Sequence, residues 1–316
     1  MTATTRPTLD RNLLHHLGIV AVLVVIAGIL SATTDSFATG ANLTNVARQV
    51  SINGILAVGV TFVLLTGGVD LSLGSVVALS GVTCALFAHP GEYPLFVPIC
   101  VGLLTGGLCG LLNGVLVTRG GIAPFIVTLG MMTVARGLAL IFSGGKPVAD
   151  MTPALTNLAG DFGPVPIPVL CFAFVAVLSW LFLGRFRLGR HLYAVGGNEQ
   201  AARAAGVAVP SVKRFAYGIC GLLTGLAGVV LAARITTGQP NAGQAYELDA
   251  IAAVVIGGTS LSGGVGSVLG TILGVLLIGI INNGLDLQGV SSYYQAVIKG
   301  VIIVGAVWLD RRQSRS

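Results

Sequence analysis

The chain has few charged residues. Of its 316 residues only 9% are Asp, Glu, Lys or Arg, while 54% are hydrophobic, and a soluble domain carries about 25% charged residues. This composition excludes an ordinary soluble protein and predicts an integral membrane protein. The formal net charge of +6 is interpreted by location, because Lys and Arg mark the cytoplasmic loops of membrane proteins. We expect no nucleic-acid partner.

Motifs for metal, disulfide and nucleotide chemistry are also missing. The five cysteines lie in apolar runs without CxxC spacing, and the four histidines are scattered, so we predict no disulfide framework, no metal site and no cofactor. The only Gly-Lys pair, at 145–146, is followed by Pro147 and does not form a phosphate-binding loop. Because no cluster of titratable residues accompanies a nucleophile, we predict no catalytic residues and no membrane enzyme.

Apolar stretches recur along the chain at the length needed to cross a membrane, about 20 residues. Ten spans are predicted, at 13–31, 50–67, 72–89, 94–117, 122–143, 165–184, 214–235, 249–265, 266–288 and 292–310. The eighth, "DAIAAVVIGGTSLSGGV", is marginal. The predicted fold class is all-α, a polytopic integral membrane protein of about ten transmembrane helices, with residues 1–316 forming a single transmembrane domain.

The basic residues predict an orientation. With ten spans and the N-terminus inside, most of the 17 Lys and Arg lie in cytoplasmic segments, as expected for a multi-pass protein. The predicted cytoplasmic segments include the N-terminal tail 1–12, the loop 185–213 and the C-terminal tail 311–316, while 144–164 and 236–248 are predicted outside. Removing two spans together leaves the basic segments on the same side of the membrane, so eight spans are an alternative.

Glycine is abundant, with 46 residues, roughly twice the average usage of about 7%. In one predicted span glycines recur every fourth residue, at Gly102, Gly106, Gly110 and Gly114, and a second row follows at Gly266, Gly270 and Gly274. Such rows place a groove on one helix face, where another backbone approaches closely. We favour packing inside one subunit over a moving or dimeric interface.

An internal repeat is predicted from two related segments. "GGVDLSLGSV" at 67–76 resembles "GGTSLSGGVGSV" at 257–268. Paired Gly-interrupted apolar segments in the two halves of a chain indicate a transport pathway built from broken helices. The alternative is chance similarity in a chain rich in Gly, Ser and Leu.

Three charges lie in or beside apolar stretches, at Asp70, Arg136 and Lys299. An intramembrane charge costs about 2.5 to 3.5 kcal/mol on insertion scales, so each is expected to have a partner. A structural ion pair and a contact with substrate are equally good interpretations of Arg136 and of Lys299. Asp70 lines a pathway or pairs with one of these cations in one interpretation. In the other it caps, with Ser72, the helix that begins near Leu73.

The stretch "GGNEQAARAAGV" at 196–207 is polar and helical inside an apolar chain. Asn198 is a suitable N-cap, the residues after it favour helix, Gly206 is a suitable end, and Pro210 prevents continuation. A plain loop anchored by positive charge would need neither an N-cap residue nor residues that end a helix. We therefore predict a short cytoplasmic helix that docks on another protein.

Four separated segments carry a resemblance to a known family. They are "GGVDLSLGS", "RLGRHLYAVGGNEQAARAAGV", "QPNAGQAYELDAIAAVVIGGTSLSGGVGSVLGT" and "NNGLDLQGVSSYYQAVIKGVII". In this order they resemble the permease subunit of ribose-type ABC sugar importers, over essentially the whole chain. The resemblance implies import of a monosaccharide, a ribose-like pentose or hexose, across the bacterial inner membrane.

The same resemblance implies partners. They are a second permease copy in a homodimer surrounded by membrane lipid, a cytoplasmic ABC ATPase that hydrolyses ATP, and a periplasmic or lipid-anchored sugar-binding protein. The "GGVDLS" segment differs from its counterpart in relatives that carry branched-chain amino acids, which favours sugar. The alternatives are the same importer architecture for another small polar solute, and an ion-coupled secondary transporter.

Candidate site residues follow from this resemblance and from polarity. ATPase coupling is assigned to Gly197, Asn198, Glu199, Ala202, Arg203 and Gly206. The polar candidates along the translocation pathway are Asn53, Asp70, Ser72, Asn113, Asn282 and Asn283. Docking of the binding protein is expected on the outer loop at Gln239, Asn241, Gln244 and Glu247.

Overall fold

The computed structural model describes residues 11–313 and consists almost entirely of helices. The helices are α1 (Arg11–Thr33), α2 (Gly40–Leu65), α3 (Leu73–Leu86), α4 (Phe96–Thr118), α5 (Pro124–Ser143), α6 (Pro153–Thr156), α7 (Ile167–Arg185), α8 (Arg187–Gly197), α9 (Glu199–Ala204), α10 (Val209–Ile235), α11 (Tyr246–Ile256), α12 (Val268–Leu287) and α13 (Ser292–Gln313). Between α6 and α7 lie a 3₁₀ turn (Asn157–Ala159) and the antiparallel strands β1 (Asp161–Phe162) and β2 (Val165–Pro166).

The protein is an all-α polytopic membrane protein. Among the described residues seven helices are long and apolar enough to cross a membrane, namely α1, α2, α4, α5, α7, α10 and α12. The predicted count of ten spans is not confirmed, because α3 has 14 residues and α11 has 11, and a span needs about 20. Most of the predicted tails, 1–10 and 314–316, lies outside the described residues, and the adjoining residues belong to α1 and α13.

The predicted span 249–265 is not a continuous helix. Helix α11 ends at Ile256, and the segment after it contains glycines with positive φ, at Gly258 (91°), Gly263 (89°) and Gly264 (76°). Positive φ is incompatible with a right-handed helix and costs glycine little. The apolar composition of this stretch therefore belongs to a short helix followed by a Gly-rich segment.

Helix α2 lies at the centre of the fold. Every residue from Val50 to Leu65 is buried, and α2 packs against α7, α10, α11 and α12. Helices α4, α5 and α7 carry exposed leucine, isoleucine and phenylalanine on their outer faces, as expected for surfaces that meet lipid hydrocarbon. A helix that is apolar all round and buried all round is typical of the interior of a membrane bundle.

The glycine row of α4 packs against α10. A Cβ added at Gly106 would lie 2.4 Å from the Gly221 carbonyl oxygen and 2.6 Å from the Gly225 Cα, and one at Gly110 would lie 2.2 Å from the Tyr217 carbonyl oxygen. The backbones of the two helices are thus in direct contact. In the second row Gly274 packs α12 on α11 and Gly270 packs it on Gly257, just after α11, while Gly266 lies before α12 and meets the Thr259 side chain. The prediction of glycine packing inside one subunit is confirmed.

Replacing Gly106 by alanine should destabilise the bundle, because the new methyl group has no space between α4 and α10. Overpacking costs about 1–3 kcal/mol, so we expect thermal unfolding of the purified protein in detergent to shift down by about 2–10 °C. Gly107→Ala is the matched control, since the nearest atom to its Cβ, in Leu222, lies at an ordinary 3.6 Å. Equal melting temperatures for the two variants would contradict the packing.

Candidate functional site

Two Gly-rich segments interrupt the helical bundle and meet each other. The first interrupted segment, 66–72, joins α2 to α3, and the second, 257–267, joins α11 to α12. The Gly264 N–H donates to the Leu65 carbonyl at 3.0 Å, and a Cβ at Gly67 would lie 3.3 Å from the Ser262 carbonyl oxygen. The two segments that resemble each other in sequence are therefore in contact, while the internal repeat itself stays a prediction.

A buried polar cluster lies at the end of the first interrupted segment. Asp70 Oδ1 accepts hydrogen bonds from the Ser72 backbone N–H (2.9 Å) and from Ser72 Oγ (2.6 Å). Asn113 of α4 donates through Nδ2 to Ser72 Oγ (3.1 Å) and to Asp70 Oδ2 (3.5 Å). The three side chains are 2%, 1% and 0% exposed, so the cluster is closed to solvent within the subunit.

The structure does not show the capping bond that was predicted for Asp70 and Ser72. Ser72 occupies the N-cap position of α3, but its side chain makes no capping bond. Asp70 instead holds the Ser72 N–H in the tight turn that precedes the helix, a pattern typical of Asp and Asn. The carboxylate thus orders the start of α3 from two residues upstream.

Arg136 and Lys299 have partners other than Asp70. Arg136 Nη1 donates to the carbonyls of Pro240 (2.5 Å) and Ala242 (2.9 Å), which fixes the outer loop to α5. Lys299 forms a 2.9 Å salt bridge with Asp249 of α11. In the described part of the chain the salt bridges do not include Asp70, so the hypothesis that it pairs with either cation is wrong.

The remaining pathway candidates are buried inside the subunit. Asn282 Nδ2 donates to Asp249 Oδ2 at 3.3 Å, beside the Lys299 salt bridge. Asn283 exchanges two amide hydrogen bonds with Asn42 of α2, at 3.0 and 2.8 Å. Asn53 is 7% exposed on α2. The structure therefore brings Asp70, Ser72 and Asn113 together and leaves Asn53, Asn282 and Asn283 in other places.

The loop between α10 and α11, which is predicted to lie outside, runs along α3. A backbone bridge joins Gly238 to Val148. Gln239 is half-buried, while Asn241 and Gln244 are exposed. Glu247 has a different environment, because its Oε2 would lie 2.4 Å from a Cβ at Gly74, in the first turn of α3. Its carboxylate is therefore directed at the helix start rather than at the outer surface.

The short helix predicted after Asn198 is present. Asn198 Oδ1 accepts from the Ala201 N–H at 2.9 Å and caps α9, and Gly206 follows the helix with a φ of 81°. The predicted start and stop are confirmed. The segment before α9 was expected to be loop, but residues 187–197 form α8, whose apolar face buries Leu192 and Val195.

Glu199 anchors α9 to the start of α10. Its carboxylate accepts from Lys213 Nζ at 2.6 Å and from Arg203 Nη2 at 3.0 Å. The hydrogen bond from Lys213 is the main reason that the pKa of Glu199 is lowered, with the Arg203 contact adding to it. The Arg203 side chain is 66% exposed and is free to meet a partner. Ala202 is buried and faces the protein itself.

Comparison with known proteins identifies the family. A family model described as "Branched-chain amino acid transport system / permease component" matches residues 42–307. The chain belongs to this permease family. Among its relatives are the ribose import permease proteins of Bacillus subtilis (strain 168), 46% identical over 93% of this chain and 91% of that protein, and of Escherichia coli (strain K12), 44% identical over 95% of each. No solved structure matches the chain.

A further relative of the permease has a different named cargo. The D-allose transport system permease protein of Escherichia coli (strain K12) is 39% identical over 94% of this chain and 91% of that protein. The identity in all three cases extends over more than nine-tenths of both chains. The similarity therefore extends over almost the whole length of each chain and is not confined to one segment.

Sequence reasoning missed two contacts of the permease. Asp249, 5% exposed, is the partner of Lys299 and lies in an apolar run, so the rule that selected Asp70 should also have selected it. Tyr193 of α8 donates to the Gly266 carbonyl at 3.1 Å. Nothing in a single sequence indicates a long-range hydrogen bond from a tyrosine to a backbone carbonyl.

Asp70→Asn should be tolerated and Asp70→Ala should not. Asparagine keeps the Oδ1 acceptor for both Ser72 donors and leaves no cation without a partner; it loses only the long 3.5 Å hydrogen bond from Asn113. Alanine leaves those buried donors unsatisfied, which costs about 1–3 kcal/mol. We expect near-normal membrane abundance and thermal stability for the asparagine variant and a clear loss of both for the alanine variant. An asparagine variant as unstable as the alanine variant would show that the charge itself is needed.

Proposed function

We propose that this permease is the membrane-spanning subunit of an ABC importer for a monosaccharide, a ribose-like pentose or hexose. The observation that carries the proposal is the 44–46% identity to ribose import permease proteins over almost the full length of both chains. The family description refers to branched-chain amino acids. Relatives named for ribose, D-allose, xylose and L-arabinose support a sugar instead.

The subunit is proposed to transport and not to catalyse. Hydrolysis of ATP is assigned to a separate cytoplasmic ATPase, and affinity for the sugar to an extracytoplasmic binding protein. The permease itself needs to hold sugar only weakly, since conduction requires easy release. Two permease copies in the bacterial inner membrane form the pathway at their shared axis. Both termini of each copy lie in the cytoplasm. The excess of Lys and Arg in the loop 185–213 supports this orientation.

Alternating access is the proposed mechanism. Binding and hydrolysis of ATP move the cytoplasmic helices α8 and α9, and the pathway switches between outward and inward access. The pathway candidates are Asn53, Asp70, Ser72, Asn113, Asn282 and Asn283. Because all six are buried within one subunit, sugar reaches them only when the surrounding helices have moved apart.

The binding protein is proposed to dock on the outer loop. Asn241 and Gln244 are exposed there, and Gln239 lies beside them. We leave Glu247 out of this surface, because its carboxylate is directed at the start of α3. The two carbonyl contacts of Arg136 hold the loop in place, which gives the partner a preformed surface.

Uptake into vesicles tests the proposal against its alternatives. The permease, its ATPase and the binding protein are reconstituted in proteoliposomes that enclose ATP, and uptake of labelled ribose is measured with excess D-allose, L-arabinose or leucine as competitor. We expect uptake that needs enclosed ATP, survives ionophores and is reduced by a sugar but not by leucine. Uptake driven by an ion gradient without ATP would identify a secondary transporter. Competition by leucine alone would identify an amino acid as the cargo.

The exposed face of α9 is proposed to seat in a cleft of the ATPase. Asn198 and Gly206 bound this helix and Gly197 leads into it. Arg203 is the exposed cation of α9. Glu199 keeps α9 in position through its salt bridge with Lys213 of α10. Arginine is enriched among the residues that contribute most to binding at protein interfaces. Ala202 supports the helix from its buried side.

Arg203→Ala should weaken assembly with the ATPase. Loss of an interface arginine is expected to lower the amount of co-purified ATPase by about tenfold or more, with permease abundance unchanged because the Glu199–Lys213 contact survives. Arg187→Ala is the control, since Arg187 is an exposed arginine of the neighbouring helix α8. An equal loss for both variants would assign the effect to general positive charge and not to α9.

A further inference from the structure

The last turn of α8 lies against the backbone of the second interrupted segment and of the end of α2, where the first interrupted segment begins. A Cβ added at Gly196 would lie 1.9 Å from the Leu65 carbonyl oxygen, at the end of α2, and 2.4 Å from the Gly264 backbone nitrogen. These two atoms are themselves joined by the 3.0 Å hydrogen bond from Gly264 to Leu65. We name Gly196, Leu65 and Gly264 the glycine junction.

Further contacts hold the junction together. Gly263 lies so close to the first interrupted segment that its Cβ would be 2.7 Å from the Gly67 nitrogen. Tyr193, one turn before Gly196 on α8, donates to the Gly266 carbonyl at 3.1 Å. Helix α8 therefore contacts the second interrupted segment at two places and the last residue of α2 at one, and the second interrupted segment in turn contacts the first.

The junction connects the cytoplasmic face to the buried polar cluster. From Leu65 the chain passes through the first interrupted segment to Asp70, and Tyr217 of α10 fixes Val69 on the way by donating to its carbonyl at 3.1 Å. On the other side of the junction, α9 follows α8 after Asn198 alone. The proposed ATPase-docking helix and the Asp70 cluster are thus linked by two short, well-packed stretches of chain.

Resting on the proposed function, we propose that Gly196 is a positioning residue for transport, through which movement of α8 and α9 displaces both interrupted segments together. Contact between backbones without side chains leaves no flexible group to absorb a shift, and close-packed interiors transmit displacement. Only glycine permits this contact, because any larger residue separates α8 from Leu65 and Gly264.

Gly196→Ala tests the proposal against Gly184→Ala as control, since Gly184 lies in α7, outside the proposed coupling residues, and a Cβ there meets no atom within 4 Å. For Gly196→Ala we expect sugar uptake to fall by about tenfold or more, with co-purified ATPase and basal hydrolysis of ATP close to wild type. A merely structural role would lower all three together. Wild-type uptake in Gly196→Ala, or an equal loss in both variants, would overturn the proposal.

A readout that does not depend on sugar separates this inference from the proposed function. A cysteine is placed at Ser262, which is exposed in the second interrupted segment, in a background without native cysteines. We expect ATP to change the rate of thiol labelling there in the otherwise wild-type complex and in Gly184→Ala, but not in Gly196→Ala. If this labelling pattern is observed but no complex imports sugar, the cargo assignment is wrong and the role of the glycine junction is supported. An ATP response in Gly196→Ala equal to that of the control would overturn the junction.

A milder variant covers the case in which Gly196→Ala does not accumulate in the membrane. Tyr193→Phe removes one hydroxyl, and with it the hydrogen bond to Gly266, while the ring still packs against the core. We expect normal abundance and ATPase assembly, with the ATP-dependent change in labelling at position 262 reduced about threefold. An unchanged response would overturn the proposal.

Discussion

Direct contact between polypeptide backbones is the constraint on which this structure depends. Inside a membrane the hydrophobic effect does not drive helices together, so close packing must supply the stability. At Gly106 and Gly110 the backbone of α4 touches that of α10, and at Gly274 α12 touches α11. At Gly196 α8 touches the end of α2 and the second interrupted segment. A methyl group at any of these positions would overlap backbone atoms, so the fold specifies glycine there.

The sequence predicts much of the fold, because length, polarity and spacing are local properties. The seven long apolar helices, the glycine row that ends at Gly114 and the short helix between Asn198 and Gly206 were all predictable. The length of α11 was not predictable. A glycine with positive φ, such as Gly264, cannot be distinguished in the sequence from a glycine that packs inside a helix. Helix α8 was missed, since its polar residues are typical of a loop and only its packing shows the buried face.

Candidate site residues were less predictable, because their partners are far away in the chain. Asp70 was selected correctly as a buried charge, yet its partners are Ser72 and Asn113 and not a cation. Lys299 has a partner fifty positions away in Asp249. Pairing of this kind is decided by which helices become neighbours, and a single sequence does not contain that information.

The account is tested most directly by an electron cryo-microscopy structure of the permease bound to its ATPase, solved with and without ATP. We predict that α9 lies in a cleft of the ATPase in both states. We also predict that Gly196 keeps its contact with Leu65 and Gly264 while these residues move together relative to α10. A structure in which α9 contacts no ATPase residue would contradict this mechanism. So would one in which ATP separates Gly196 from Leu65 and Gly264.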